Sequence, residues 1–184
     1  MAEIARAERK PALSGKEGGT ARARITVAAP AARVNLRAGE EAVPALSAAL
    51  GLELPRQPKT SARNGTRLAL WLGPDEWLLI DVDGADLMGD CARSGAVHAA
   101  TDVSHRNIGI LITGADAAAA LNAACPLDLS IKSFPVGACA RTVFGKIEIV
   151  VYREAEDAFR VECWRSFADY AFGMLEEGAA DAGQ

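Results

Sequence analysis

Residues 101–129 carry the pattern that most constrains the fold, because two strand-like segments are followed by a short helix. The two strand patterns lie next to each other in the chain, and Ile108, Ile110 and Ile112 share one face of the second. A Gly-Ala-Asp turn then opens a helix, which Pro126 ends because proline cannot continue the helical hydrogen bonds. This succession indicates paired strands covered by a helix on one face.

The same alternation of strand pairs with single helices runs through the rest of the chain. Residues 33–37 alternate like a strand and precede a helix that Gly51 ends, while residues 68–80 and 138–152 each carry a hairpin pattern. Proline and polar residues dominate residues 52–65, which predicts a loop. This order predicts an α+β fold in which antiparallel sheets carry helices on one face.

A last helix is predicted after a strand in which Phe159, Val161 and Cys163 alternate. Ser166 precedes this helix and Asp169 follows three residues later, which is the spacing of a capping box. The stripe expected to face the core consists of Phe167, Tyr170, Ala171, Met174 and Leu175.

Length and composition predict one domain with two ends outside its core. Half of the 184 residues are hydrophobic, which is enough to bury a core at this length. Residues 1–24 combine charges with proline and glycine and hold few large apolar side chains, so we expect a flexible N-terminal arm. The folded domain is predicted over residues 25–177, followed by a polar, alanine-rich tail over residues 178–184.

Charge and hydropathy argue against two classes of partner. The net charge of −4 argues against a protein that binds nucleic acid through the general phosphate field. No apolar run reaches the roughly 18–20 residues of a membrane-spanning helix, and the N-terminus lacks the apolar stretch of a secretory signal. We therefore expect a cytoplasmic chain without a nucleic-acid or membrane partner, in which the four scattered cysteines are buried free thiols.

Few residues have the spacing of a catalytic, nucleotide-binding or metal site. His98 and His105 lie seven apart, so a strand would turn them to opposite faces. Residues 102–105 (DVSH) contain the residue types of a hydrolase triad, but their adjacency favours a structural hydrogen bond at a strand end or turn. Phosphate-binding glycine loops are missing, and the aspartates of residues 81–90 lack calcium-loop spacing, which predicts a solvated loop and helix start. The sequence therefore predicts no catalytic, cofactor-binding or metal-ligating residue.

Basic residues and one tryptophan are the candidates for contact with another protein. Arg6, Arg9 and Lys10 lie in the predicted arm, which we expect to order on the surface of a partner. Trp71 lies on the strand face opposite its neighbouring leucines. Core packing explains a single tryptophan well, and exposure would make Trp71 an interface residue.

Several motifs, in this order, resemble one family. DVSH at residues 102–105, followed by an alternating strand, a glycine and a helix, resembles the aminomethyltransferase (glycine-cleavage T-protein) family of folate-binding proteins. Within that superfamily the chain is more similar to the gamma subunits of heterotetrameric sarcosine oxidase, through RVNLR (33–37), LGPDEW (72–77), CPLDL (125–129) and RSFADY (165–170). The likeness covers about residues 33–175 and implies the folate-binding fold of the T-protein.

The resemblance also implies a role in the oxidative demethylation of sarcosine to glycine. That reaction yields hydrogen peroxide and, with tetrahydrofolate, methylenetetrahydrofolate. In that family the alpha and beta subunits hold FAD, FMN, NAD and the folate site, and a small delta subunit holds zinc. The resemblance therefore implies an accessory subunit without its own cofactor, which binds the alpha, beta and delta subunits with alpha as the preferred direct contact. We expect the isolated chain to be inactive.

Two other functions stay open from the residues alone. A free-standing tetrahydrofolate-binding one-carbon protein would need an acidic residue in a deep pocket, for which Glu148, Glu154 and Glu162 are candidates without a supporting motif. A non-enzymatic scaffold domain would need an interaction surface and no such pocket. Tetrahydrofolate binding by the isolated chain separates these two functions.

Overall fold

The computed structural model describes residues 12–183, which form two antiparallel sheets and four helices. The six-stranded sheet has the spatial order β1 (Glu17–Gly19), β2 (Arg24–Val27), β8 (Asn107–Thr113), β11 (Ala158–Trp164), β10 (Ile147–Ala155) and β9 (Cys139–Phe144). The five-stranded sheet has the order β4 (Ser61–Asn64), β5 (Arg67–Gly73), β6 (Glu76–Asp81), β3 (Ala32–Ala38) and β7 (His98–Asp102). The helices are α1 (Val43–Leu50), α2 (Leu87–Arg93), α3 (Ala117–Asn122) and α4 (Ala168–Ala182), with 3-10 turns at Glu40–Ala42 and Arg165–Phe167.

The five-stranded sheet buries one face under α1 and α2. Leu36 of β3 and Leu79 of β6 pack in one buried cluster with Leu46 of α1 and Leu87 of α2. Successive strand residues point to opposite faces. The neighbours of these leucines therefore point away from the helices.

The six-stranded sheet carries α3 and α4 in the same way. Ile110 of β8 and Val161 of β11 pack in a second cluster with Leu121 of α3 and Leu175 of α4. Each sheet is thus covered by helices on one face, and the other face is left for contact with the second sheet.

The two sheets pack face to face through a third cluster that contains no helix residue. Leu70 of β5 and Leu78 of β6 meet Val150 and Tyr152 of β10 in this middle layer. The layers therefore follow the order helices, sheet, sheet, helices. The predicted α+β fold, with antiparallel sheets and helices on one face, is confirmed.

No helix among residues 12–183 is long and apolar enough to cross a membrane.

The described part of the predicted arm is folded. β1 pairs with β2 in antiparallel register, from Glu17 opposite Thr26 to Gly19 opposite Arg24. Leu13 is buried in the cluster beneath α3 and α4. The sequence Glu-Gly-Gly of β1 has no apolar alternation, so pattern reasoning could not detect this strand. Residues 1–11, which contain Arg6, Arg9 and Lys10, lie outside the described residues.

Three more predictions differ from the structure. The segment expected to be a loop contains β4, a polar strand at the edge of its sheet, where a row of apolar side chains is not needed. The segment expected to be a polar tail continues α4 to Ala182, with Gly178 and Ala179 buried. The predicted Ser166 cap is wrong, because a 3-10 turn occupies residues 165–167 and α4 begins after Phe167 without a side-chain cap.

Gly178 lets α4 approach α3 closely. A Cβ atom at this position would lie 2.3 Å from the Ala120 carbonyl oxygen and 3.0 Å from Ala123 Cβ. Real side chains do not approach a backbone oxygen this closely, so any larger residue forces the helices apart.

We expect Gly178→Ala to lower the free energy of unfolding by about 1–3 kcal/mol, because overpacking shifts the α3–α4 contact. Gly173→Ala is the matched control, because a Cβ at Gly173 of the same helix meets no atom within 4 Å. That control should raise the free energy of unfolding by about 0.5–1 kcal/mol through helix propensity. Urea denaturation of both variants measures these changes, and equal effects of the two substitutions would contradict the packing described here.

Candidate functional site

A buried ion cluster lies between the two sheets. Arg33 of β3 donates to both carboxylate oxygens of Glu162 on β11, from Nε at 2.6 Å and from Nη2 at 3.1 Å. Arg160, two residues earlier on β11, donates from Nε to Glu162 Oε1 at 2.7 Å. All three residues are at most 8 % exposed. Such a bidentate pair is among the stronger hydrogen-bonded arrangements in proteins.

Strand alternation explains why these charges face each other. Phe159, Val161 and Cys163 of β11 point toward the helices, so Arg160 and Glu162 point toward the other sheet. Gly109 on the neighbouring strand makes room for them, because a Cβ there would lie 2.7 Å from Glu162 Oε1 and 2.8 Å from Arg160 Nη2.

A polar cleft of about 480 Å³ opens beside this cluster, between the two sheets. We call it the intersheet cleft. Its polar and charged lining consists of Asn35, Arg37, Glu76, Thr101, Arg106, Asn107, Arg141 and Glu148, and Trp164 and several aliphatic side chains complete its wall.

Glu76 is the most constrained carboxylate of the intersheet cleft. Arg141 donates to its two oxygens at 2.5 and 3.2 Å, and Asn35 Nδ2 donates to Oε1 at 2.7 Å. These bonds, first of all those from Arg141, hold the pKa of Glu76 below its ordinary value. Glu76 is therefore an ion at neutral pH and has no proton to donate as a general acid, and its lowered pKa makes it a weak general base.

Sequence reasoning did not single out Glu76, and the three acidic candidates that it named also lie close to arginines. Glu162 belongs to the buried cluster, and Glu154 accepts from Arg63 Nη1 at 2.6 Å on the surface. Glu148 is more than half exposed and lies 4.0 Å from Arg141 Nε. The structure therefore brings Glu148 to the cleft and Glu162 to the adjacent cluster, and places Glu154 at a surface ion pair.

The aspartates expected in a solvated loop are in part buried. Asp81 and Asp90 are 3 % and 7 % exposed, and Arg67 bonds both, at 3.0 Å and 2.7 Å. The prediction of a solvated segment missed this role because Arg67 lies on another strand.

Among residues 12–183 no three His, Cys, Asp or Glu side chains form a group that could hold a metal ion.

The DVSH segment forms the structural hydrogen bonds that its spacing predicts. Ser104 Oγ accepts from the Arg33 amide at 2.8 Å, and the Ser104 amide donates to Asp102 Oδ1 at 2.8 Å. The first bond connects the end of β7 to the start of β3, and the second orders the turn after β7. The expectation of a strand-end role is confirmed.

The cysteines are buried free thiols, as predicted. Burial raises the pKa of Cys91 to about 11 and the pKa values of Cys139 and Cys163 to about 12. A thiol acts as a nucleophile through its thiolate, so these three groups are inert near neutral pH.

The three tryptophans differ in their surroundings. Trp77 is fully buried and donates from Nε1 to the Pro55 carbonyl at 2.7 Å. Trp71 is half-buried between the outer and middle layers, and its buried indole N–H has no hydrogen-bond partner among the described residues. Trp164 is 40 % exposed, and the Arg106 guanidinium lies 3.9 Å from the centroid of its ring. Packing thus accounts for Trp71, and its contact with a partner stays a prediction.

Three exposed aromatic residues follow one another from the end of β11 to the first turn of α4, and the first of them, Trp164, also lines the intersheet cleft. We call Trp164, Phe167 and Tyr170 the aromatic surface. Each is 37–40 % exposed, and the Trp164 and Phe167 rings stack with centroids 6.0 Å apart. The Tyr170 hydroxyl accepts from the Lys146 amide at 3.2 Å.

The aromatic surface corrects the predicted core face of the last helix. Phe167 and Tyr170 were expected to be buried, whereas the buried aromatic residue is Phe172, which is 1 % exposed. The 3-10 turn delays the start of α4 to Ala168 and shifts the buried stripe by one residue, or about 100° around the helix. Both large exposed rings are therefore available for contact with another molecule.

A family model for the sarcosine oxidase gamma subunit matches residues 37–181. The chain belongs to this family. A sarcosine oxidase subunit gamma from Arthrobacter sp. is 34 % identical over 137 residues, covering 71 % of this chain and 67 % of the relative. The subunit gamma of Corynebacterium sp. strain P-1 is 28 % identical, covering 91 % of this chain and 84 % of the relative.

Solved structures agree with this family membership. A chain of heterotetrameric sarcosine oxidase from Corynebacterium sp. U-96 superposes with a TM-score of 0.83 at 26 % identity, covering 91 % of this chain and 89 % of that chain. The aminomethyltransferase T of the glycine cleavage system from Bartonella henselae superposes with a TM-score of 0.64 at 15 % identity, covering 84 % of this chain and 45 % of that chain. The second likeness concerns the fold alone, and the resemblance inferred from the motifs is confirmed.

We expect Glu76→Gln to lower the free energy of unfolding at neutral pH by about 1–2 kcal/mol, because Arg141 loses its charged partner. Because the pKa of Glu76 is lower in the folded chain than its ordinary value of 4.5, the ionised carboxylate stabilises the fold at pH values above 4.5. This contribution disappears as the pH falls through the folded-state pKa. The difference between wild type and variant should therefore shrink on acidification below about pH 4.5.

Urea denaturation between pH 7 and pH 3 measures this difference. Glu148→Gln is the control, because its carboxylate is 57 % exposed and lies 4.0 Å from the same arginine. The control should change the stability by no more than about 0.5 kcal/mol. A Glu76→Gln effect that is constant over the whole pH range would contradict the charged state assigned to Glu76.

Proposed function

We propose that this chain works as a non-catalytic gamma subunit of a heterotetrameric sarcosine oxidase. It would support the oxidative demethylation of sarcosine to glycine, with hydrogen peroxide and methylenetetrahydrofolate as further products, without carrying out a chemical step. The observation that carries this proposal is the family match over residues 37–181, together with a likeness to a chain of a heterotetrameric enzyme that covers both chains almost completely.

The chemistry of the described side chains supports an accessory role. Arg141 lowers the pKa of Glu76, and the Glu162 carboxylate accepts hydrogen bonds from Arg33 and Arg160. The thiols of Cys91, Cys139 and Cys163 are protonated near neutral pH. A reaction that removes hydride and transfers a one-carbon unit needs cofactors. We assign FAD, FMN, NAD, tetrahydrofolate and zinc to the partner subunits.

The aromatic surface is the region we assign to contact with the other subunits. Tryptophan, tyrosine, phenylalanine and arginine are the residue types enriched in the buried centres of interfaces. Trp164 and Phe167 expose rings that are already ordered by stacking and by Arg106, so little side-chain entropy would be lost on binding.

Cationic groups border the aromatic surface although the chain as a whole carries a net charge of −4. Arg106 lies over the Trp164 ring, and Arg165 follows Trp164 in the chain. We therefore expect the facing subunit to present an apolar pocket with an acidic border. The alpha subunit is the partner we assign to this surface, with beta and delta in the same complex.

Arg6, Arg9 and Lys10 stay predicted partner contacts, as does Trp71. The deletion that tests the three basic residues should end at residue 11, because β1 and Leu13 belong to the folded chain. We place the complex in the cytoplasm, on the grounds of composition given above.

The intersheet cleft favours a second candidate function, a free-standing tetrahydrofolate-binding protein. Its volume of about 480 Å³ lies in the range of small-molecule sites. Against it, the most constrained acid of the cleft already accepts bonds from Asn35 and Arg141. Titration of the isolated chain with tetrahydrofolate decides between the two functions, since the gamma-subunit function predicts no saturable binding.

We expect Trp164→Ala to weaken binding of this chain to the other subunits by roughly 30-fold, which corresponds to about 2 kcal/mol for an aromatic residue at the centre of an interface. Val97→Ala is the control, because Val97 is 87 % exposed and precedes β7, at the end of that strand opposite to Asn107, the residue that pairs with Trp164. Surface plasmon resonance with immobilised partner subunits measures both affinities, and circular dichroism verifies that both variants are folded. Equal affinities of the two variants would exclude the aromatic surface as the contact.

A further inference from the structure

A second, smaller cavity of about 90 Å³ lies at the start of β3 and is lined by cationic side chains. We call it the cationic cavity. Its apolar wall is formed by residues 28–31 (Ala-Ala-Pro-Ala) with Val27 and Ile108. Arg33, His105 and Arg165 supply its titratable lining, and among the described residues no carboxylate lines it.

The buried ion cluster beside this cavity holds more positive than negative charge. Arg33, which lines the cavity, and Arg160 contribute two guanidinium groups, and Glu162 contributes one carboxylate, so the cluster carries a net charge of +1. Arg33 is 3 % exposed. A buried charge is costly unless it is paired, so the arrangement favours one further anion.

Two guanidinium groups of the cluster also retain donors for such an anion. Arg33 uses three N–H groups, two on Glu162 and one on the Ala31 carbonyl at 3.1 Å, and a guanidinium has five. Arg160 Nη2 is buried without a hydrogen-bond partner among the described residues. A Cβ at Gly109 would lie 2.8 Å from this nitrogen and 3.0 Å from Ala28 Cβ, so the unpaired donor packs next to the cavity wall.

We propose that the cationic cavity binds a small carboxylate with a short apolar body. A guanidinium matches the two oxygens of a carboxylate, and the alanines and proline suit a carbon chain. At about 90 Å³ the cavity is far smaller than the roughly 300–1,000 Å³ of sites for larger ligands, so it suits a ligand of few atoms such as acetate. The source of the carboxylate is either a free metabolite or an acidic side chain of a partner subunit.

Acetate labelled with ¹³C is the probe for this site. We expect saturable line broadening of its NMR signal by the full chain at constant ionic strength. Arg165→Gln removes one cation and Ala29→Leu fills the exposed edge of the cavity without a change of charge, so each should weaken binding at least tenfold. Arg22→Gln is the control, because it removes an exposed guanidinium that pairs with Asp116 elsewhere on the surface. Circular dichroism verifies that all variants are folded.

The proposal is overturned if wild-type protein does not broaden the signal, or if all three variants broaden it as the wild type does. Repeating the acetate NMR measurement on the assembled complex identifies the source of the carboxylate. Broadening that persists there indicates a free carboxylate ligand, and broadening that disappears on assembly indicates that a partner carboxylate fills the cavity. The measurement on the free chain does not depend on assembly, so its outcome is independent of the proposed gamma-subunit function.

Discussion

The ion pair between Arg33 and Glu162 joins the two sheets, and the polar half of the middle layer is arranged around it. One side chain comes from each sheet, so the pair fixes how the strands face each other. The cost of desolvation offsets much of the attraction in such a pair. We therefore infer that the pair mainly fixes the alignment of the two sheets and adds little to the net stability. Mostly apolar side chains such as Leu70, Leu78 and Val150 fill the other half of the layer. Asn35 and Trp164, on the same faces as the pair, line the intersheet cleft.

Both cavities meet at one end of this layer. Asn107 lines both of them, Trp164 lines the intersheet cleft, and the next residue, Arg165, lines the cationic cavity. The intersheet cleft, the cationic cavity and the aromatic surface therefore lie next to each other. Their common boundary is formed by the turn between β7 and β8 and by the end of β11. Exposed aromatic rings next to a cationic cavity favour an interaction surface over a reaction centre, which agrees with a subunit that works within a larger enzyme.

The outer layers could be predicted from the sequence and the middle layer could not. Hairpins and the strand-strand-helix succession of residues 101–129 follow from strict alternation and from turn residues, which are local signals. Arg33 and Glu162 lie 129 residues apart, and in an alternating strand each has the pattern of a solvent-facing charge. Asp81 was assigned to a solvated loop for the same reason. Phe167 was misplaced because the 3-10 turn before α4 leaves no local signal and shifts the helical phase by one residue.

Co-expression of the tagged chain with the alpha, beta and delta subunits of sarcosine oxidase tests the assigned function most directly. The purified eluate is analysed by native mass spectrometry, by its absorption spectrum and by peroxide formation from sarcosine. We expect a four-subunit complex with flavin absorption that oxidises sarcosine and contains one copy of this chain. A colourless eluate that holds this chain alone, while the other three subunits assemble without it, would contradict the proposed function.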